Sequence, residues 1–202
     1  KYLTENNIVP SVGHSSATFD EVSNAISFGL SSVTHFHNGQ SPHHHRTPGV
    51  VTAGFTFDEL NTEIIVDGVH LHPDTVKSIV KIKGANNITL ITDAMRAKGL
   101  EDGDYELGGQ KVIKKDKMAT LENGTIAGSV CNLYDCLKTS VQQMKIPLEE
   151  AILACTKTPA KSLKADNKCG ILKEGRNADI LILDKELNIK YVFKNGNIII
   201  EK

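Results

Sequence analysis

Residues 31–49 read SSVTHFHNGQSPHHHRTPG: a short strand-forming run that stops at His35, an Asn38-Gly39 turn, a histidine triplet and then Arg46. A strand whose tip hands an imidazole to a polar loop is a common way to build a metal site. All eight histidines of the chain lie between His14 and His72, and the long remainder has none. Polar chemistry is therefore concentrated near the amino end.

The same grammar recurs on either side of this stretch. Upstream, residues 7–14 form an apolar segment that stops at Gly13-His14, and Thr18 with Glu21 three residues later makes a capping pattern that opens a helix through Ile26 to Leu30. Downstream, residues 63–70 read EIIVDGVH, an apolar run with His70 at its end, followed by Pro73 and Asp74 opening a helix through Ile82. A fourth run, residues 87–94, ends on Asp93. Strands of this length alternating with helices predict a parallel β/α architecture, because parallel strands need crossover helices that cover their faces. In a closed β/α barrel the carboxyl ends of the strands share one face, so His14, His35, His70 and Asp93 are expected to converge there. Four units are half of an eight-stranded barrel. The first residues, KYLTENNIVP, read as the end of a helix entering a strand without an initiator Met, so the chain is expected to begin inside a larger protein.

From Tyr105 to Gly128 short alternating segments broken by Gly109 and Asn123-Gly124 predict a small β-insertion. Helical periodicity returns at 132–144, at 148–155 after Pro147, and near Thr158-Pro159-Ala160. The tail alternates short strands with turns at Gly170, Gly175 and Asn195-Gly196, giving hairpins that need a sheet supplied from elsewhere. The expected organisation is thus a partial barrel over 1–165, with the insertion near 105–128, and a partial β-sandwich over 166–202.

Composition narrows the function classes. At 202 residues, 40% hydrophobic and 23% charged, the chain can bury a substantial core. A net charge of −1, no dense Lys/Arg tract and no Trp give no nucleic-acid surface, so small polar substrates fit better. The sequence offers no signal-peptide pattern or bilayer-length apolar run, so no membrane partner is expected. Cys131, Cys136, Cys155 and Cys169 lack C-x-x-C spacing and read as reduced thiols of a cytoplasmic protein.

Neutral imidazoles suit zinc and iron(II), which makes His14 and His35 the first-choice pair for a divalent metal. Asp93 is the natural general base. Arg46 offers a planar guanidinium to a phosphate or carboxylate, and Asn38 with the Gly39 amide could hold the same group. His70 could polarise a carbonyl oxygen or bind a second metal. The triplet His43-His44-His45 reads as a solvated loop, Asp67 as a turn residue, and Glu63 as structural, though it is the one nearby carboxylate that could stand in as a ligand.

On these residues the chain resembles the carboxyl-terminal half of the N-acetylglucosamine-6-phosphate deacetylases, a family within the amidohydrolase superfamily. The resemblance rests on GHSSAT at 13–18, THFHNG at 34–39, HHRTPG at 44–49, DGVHLHP at 67–73, TDAM at 92–95 and ENGTIAGS at 122–129, together with the closing segment from Gly170 to Asp184. It implies half of a metal-dependent (β/α)8 barrel with part of a small β-sandwich, a homodimer, and removal of acetate from N-acetyl-D-glucosamine 6-phosphate to give D-glucosamine 6-phosphate. It also implies His14 and His35 as ligands of a divalent metal such as zinc or iron, Asp93 as the acid/base, and Asn38, Gly39, Arg46, His70, Ile126, Ala127 and Gly128 as substrate contacts. The family's metal-binding glutamate lies upstream of the position of His14. The family reads Asn-Ala-Met where this chain has Asn38-Gly39-Gln40, and Arg-Glu-Pro-Gly where it has Arg46-Thr47-Pro48-Gly49. Two rival readings are a related amidohydrolase acting on a different amide, and a non-catalytic fragment that binds metal or a sugar phosphate.

Overall fold

Each apolar run of the amino-terminal half becomes a parallel strand in the computed structural model, which describes residues 1–202. After a one-turn helix α1 (Tyr2–Glu5), strands β1 (Ser11–Val12), β2 (Ser32–Val33), β3 (Asn61–Ile65) and β4 (Ile88–Ile91) form one sheet in the order β1-β2-β3-β4. Every pairing is parallel, with Val12 opposite Val33, Val33 opposite Thr62, and Thr62 opposite Ile88. The crossovers carry helices α2 (Phe19–Ser27), α3 (Val50–Thr56) and α4 (Pro73–Lys83). The predicted capping box starts α2: the Thr18 hydroxyl accepts the Glu21 N–H at 3.3 Å and Glu21 accepts the Thr18 N–H at 2.8 Å.

The two faces of this sheet differ in kind. Val33, Ile64, Val66, Ile88 and Leu90 are buried on one face, where Val76 and Ile79 of α4 join them in a continuous core with Ala151 and Ala154 of helix α6 (Leu148–Cys155). The opposite parity carries Ser11, Ser32, Thr34, Asn61, Glu63 and Thr89, with Ile65 and Ile91 at its carboxyl end. Parallel strands are ordinarily apolar on both faces, and unpaired polar groups there would each cost on the order of 1–3 kcal/mol. These are paired: Ser11 with Thr34 at 2.6 Å, Ser32 with Glu63 at 3.2 Å, and Asn61 with Thr89 at 3.0 Å. This face is built to hold polar groups.

Beyond β4 the chain forms an antiparallel sheet of β5 (Gly103–Leu107), β6 (Gln110–Lys115), β7 (Met118–Leu121) and β8 (Ile126–Gly128) over its own small core of Met95, Ala97, Val112 and Ala119. Helix α5 (Leu133–Lys138) continues as a π-helical turn (Thr139–Gln143), followed by α6 and α7 (Lys157–Ser162). The tail is a second antiparallel sheet, β9 (Ile180–Leu183), β10 (Ile189–Lys194) and β11 (Asn197–Glu201). Asn195 and Gly196, both at positive φ, turn β10 into β11. No helix is long and apolar enough to cross a membrane.

One sequence expectation differs from the structure, and one helix has no counterpart among the expectations. Strand β3 ends at Ile65, so His70 is not at a strand tip. Asp67 ends the ladder by accepting the N–H groups of Val69 and His70 at 2.8 and 2.9 Å, with Gly68 at φ +82° completing the turn. Helix α3, in turn, was not foreseen, because Val50-Val51-Thr52 is a β-branched run of low helix propensity. Burial of Val50, Val51 and Ala53 against the core outweighs that preference.

Candidate functional site

Parallel register sets three of the expected residues on one edge of the sheet, each two residues past its strand: His14 after Val12, His35 after Val33, and Asp93 after Ile91. The His14 and His35 rings lie 4.8 Å apart between centroids, tilted by 59°. His35 and Asp93 both adopt left-handed backbone, at φ +33° and +48°. Each such residue costs on the order of 1–3 kcal/mol and persists only where its surroundings fix it. Asn38 fixes the first, its main-chain and side-chain N–H groups donating to the His35 carbonyl at 2.9 and 3.1 Å. Ser129 fixes the second by donating its N–H to the Asp93 carbonyl at 3.0 Å.

Gly39 is where the loop meets the imidazole. Its φ is +61°, its carbonyl accepts the Ser15 N–H at 3.0 Å, and a Cβ built there would stand 2.7 Å from His14 Cδ2. His14 therefore rests against bare backbone. Gln40 holds the loop from the other side, donating to the Thr34 carbonyl at 2.7 Å and accepting the His37 N–H at 3.0 Å.

Glu63 lies on the polar face between the imidazole and the carboxylate. Burial raises its pKa; the Ser32 hydroxyl and the field of His35 oppose the shift, and the field of Asp93 adds to it. Sequence position alone left Glu63 as a strand residue, but its parity with Ser32 on the neighbouring strand was the available signal. It does not complete a ligand set: no group of three or more His, Cys, Asp or Glu side chains gathers with metal-ligand geometry.

His70 donates from Nδ1 to Asp67 Oδ2 at 2.7 Å, and both side chains are almost fully buried. Burial pushes Asp67 upward, but the hydrogen bonds from the His70 ring and from the His70 and Val69 N–H groups outweigh it, so its pKa falls below the usual carboxylate range. The pair fixes the ring's tautomer, an anchoring that the turn-residue reading of Asp67 did not contain. Ile126, Ala127 and Gly128 form β8, which runs into Ser129 beside Asp93; a Cβ at Gly128 would lie 3.3 Å from the Asp93 carbonyl oxygen.

Arg46 is not brought to this cluster. It is exposed, with its guanidinium against His45 Nε2 at 2.6 Å. His44 Nδ1 takes the Arg46 and Thr47 N–H groups at 3.3 and 3.0 Å, and His43 pairs with Thr52, so the triplet shapes its own loop. His37, packed against Phe36 and Phe55, has its pKa lowered by burial and then by His43.

Two imidazoles in contact are a donor set suited to a divalent transition metal. The structure supplies a further sign of fit: His35 Nδ1 is buried without a hydrogen-bond partner. A buried nitrogen left this way is costly, and a cation accepting its lone pair relieves the cost.

A family model described as the amidohydrolase family matches residues 6–199. An N-acetylglucosamine-6-phosphate deacetylase of Lysinibacillus sphaericus is 41% identical over 97% of this chain and 50% of its own length. The crystal structure of an N-acetylglucosamine-6-phosphate deacetylase from Thermotoga maritima superposes with a TM-score of 0.94 at 37% identity, covering 100% of this chain and 55% of that one. A mutant of the Mycobacterium smegmatis enzyme, in complex with N-acetyl-D-glucosamine-6-phosphate, superposes at 0.90 with 31% identity, covering 97% of this chain and 52% of that one. The chain spans about half the length of these relatives.

Proposed function

Since the chain belongs to the amidohydrolase family, we propose that it carries much of the active site of a metal-dependent deacetylase that releases acetate from N-acetyl-D-glucosamine 6-phosphate and leaves D-glucosamine 6-phosphate. The observation that carries this reading is the shared sheet edge on which the contacting His14 and His35 rings and the left-handed Asp93 stand. The family implies a divalent metal, and His14 and His35 are the residues that would hold it, with zinc or iron the metals best suited to imidazole. When bound, the metal supplies Lewis-acid polarisation of the amide carbonyl and acidification of water.

The remaining roles fall to the chain itself. Asp93 accepts a proton from the attacking water and passes it to the departing amine. His70, held through its Nδ1–H by ionised Asp67, keeps the Nε2 lone pair to accept an O–H of the sugar. Asn38 and the Gly39 backbone position the sugar, and Ile126, Ala127 and Gly128 line it beside Asp93. Arg46 serves the phosphate, which requires its loop to release the guanidinium from His45.

The parallel sheet is read as the carboxyl-terminal half of an eight-stranded β/α barrel in domain 1–165, and the tail sheet as part of a β-sandwich in domain 166–202. The one-way strand order and the apolar exposure of Leu181, Ile182, Ile198 and Ile199 support this. A homodimer is the assembly proposed.

Acetate release decides the function. A polypeptide containing this chain, supplied with zinc or iron(II), is expected to deacetylate N-acetylglucosamine 6-phosphate in preference to its 4-epimer and to the unphosphorylated sugar. Arg46→Ala should raise KM for the phosphorylated substrate with little change in kcat. Equal efficiency on phosphorylated and unphosphorylated amides would favour an amidohydrolase of another substrate class.

A further inference from the structure

Two thiols lie directly beneath the strand that carries Asp93. Cys131 Sγ and Cys136 Sγ are 3.3 Å apart; Cys131 is partly exposed and Cys136 is fully buried in α5. Their other contacts converge on the end of β4: Cys136 Sγ faces the Ile91 carbonyl at 3.7 Å, and Cys131 Sγ faces the Thr92 carbonyl at 3.8 Å. Cys131 also touches the Ser129 hydroxyl at 3.1 Å, and that hydroxyl bonds the same Thr92 carbonyl. Cys131 opens onto a cleft of ≈ 500 Å³ lined by Asp67, Tyr134, Lys114, Lys117 and Lys138, which gives small oxidants a path to it.

We propose that Cys131 and Cys136 are a peroxide-responsive pair that closes reversibly into a disulfide and, in closing, disturbs the seat of Asp93. The Cys131 thiolate attacks one peroxide oxygen: an S–O bond forms, the O–O bond breaks, and hydroxide leaves to be protonated to water. The Cys136 sulfur then attacks the sulfenic sulfur, the S–S bond forms, and the S–O oxygen leaves as a second water, taking the Cys136 proton. Two thiols are thereby oxidised by two electrons and the peroxide is reduced. A small thiol reductant reverses the step by exchange.

The chemistry of the pair assigns the order of attack. The hydrogen bond donated by Cys136 pulls the Cys131 pKa down to about 7 against the opposing effects of burial, Asp67 and Asp135, with the Ser129 contact assisting, whereas Cys136 is pushed upward. Cys155 has no such partner, and burial lifts it to about 11. Thiolate, not thiol, is the nucleophile. Bonding the sulfurs removes the Cys136 S–H, closes the 3.3 Å gap to a covalent bond and draws Cys131 from Ser129, whose hydroxyl bonds the Thr92 carbonyl and whose N–H holds Asp93. The effect on turnover rests on the role proposed for Asp93; the disulfide does not.

The test is intact mass after brief hydrogen peroxide treatment and denaturing alkylation with N-ethylmaleimide. The reduced chain has four thiols and takes four adducts; the treated chain is expected to take two, returning to four after dithiothreitol. Peptide mapping should place the bond between Cys131 and Cys136, formed at least about tenfold faster than any oxidation of Cys155. Cys131→Ser should take three adducts before and after peroxide. Four adducts after treatment, or a bond involving Cys155 or Cys169, overturns the proposal. Acetate release that falls on oxidation in the parent chain but not in Cys131→Ser supports the effect on Asp93, and unchanged release with the disulfide formed overturns that part alone. A chain without any deacetylase activity would count against the proposed function and leave the mass result to stand.

Discussion

At the residue scale, the chemistry depends on a few atoms whose positions neighbours dictate. Gly39 is the clearest: Gly39→Val puts a β-branched side chain at a left-handed φ and against the His14 ring, so the ring must move. The variant is expected to fold but to bind zinc at least about tenfold more weakly in a chelator competition, comparable with losing an orienting contact at a metal site. Unaltered affinity would show that His14 does not need that seat. Asp67 gives a pH signature. Its pKa is lower in the folded chain than the ordinary value near 4, so its contribution to stability is complete above that value and is lost as pH falls through the folded pKa. Asp67→Asn should therefore make the acid side of a urea-stability profile shallower below about pH 4; an unchanged slope would remove Asp67 from the account. Residue identity at His14, His35 and Asp93 was legible in the sequence because each follows an apolar run. The left-handed backbone at His35 and Asp93 was not, because it is imposed by Asn38 and Ser129 from other segments.

At the scale of elements, local signals succeeded where local forces rule. Thr18 and Glu21 announce α2 because a capping box is contained within four residues, and Asn195-Gly196 announces its hairpin for the same reason. Strands β1 and β2 are shorter than their apolar runs suggest, since the chain leaves the ladder to deliver His14 and His35. Helix α3 was unreadable because its stability comes from packing. Gly54 within it shows which effect wins. Glycine to alanine in a helix interior ordinarily stabilises by about 1 kcal/mol, but a Cβ at Gly54 would overlap the fully buried Phe36 ring. Overpacking a well-filled core costs about 1–3 kcal/mol, so Gly54→Ala is expected to lower the stability measured by urea unfolding. A stabilised variant would mean that the ring yields.

At the scale of the molecule, the parallel sheet has edges at β1 and β4, and the tail sheet exposes apolar side chains on β9 and β11. Such edges and faces call for covering. The chain spans about half the length of its relatives, and no group of three or more His, Cys, Asp or Glu side chains gathers within it. The central claim is that Asp93 moves the proton at a metal held by His14 and His35. It is tested most directly by acetate release from N-acetylglucosamine 6-phosphate, comparing the parent polypeptide with Asp93→Asn after metal content has been verified as equal. The expected result is a fall in kcat of about 10²–10⁴-fold; turnover at the parent rate would contradict it.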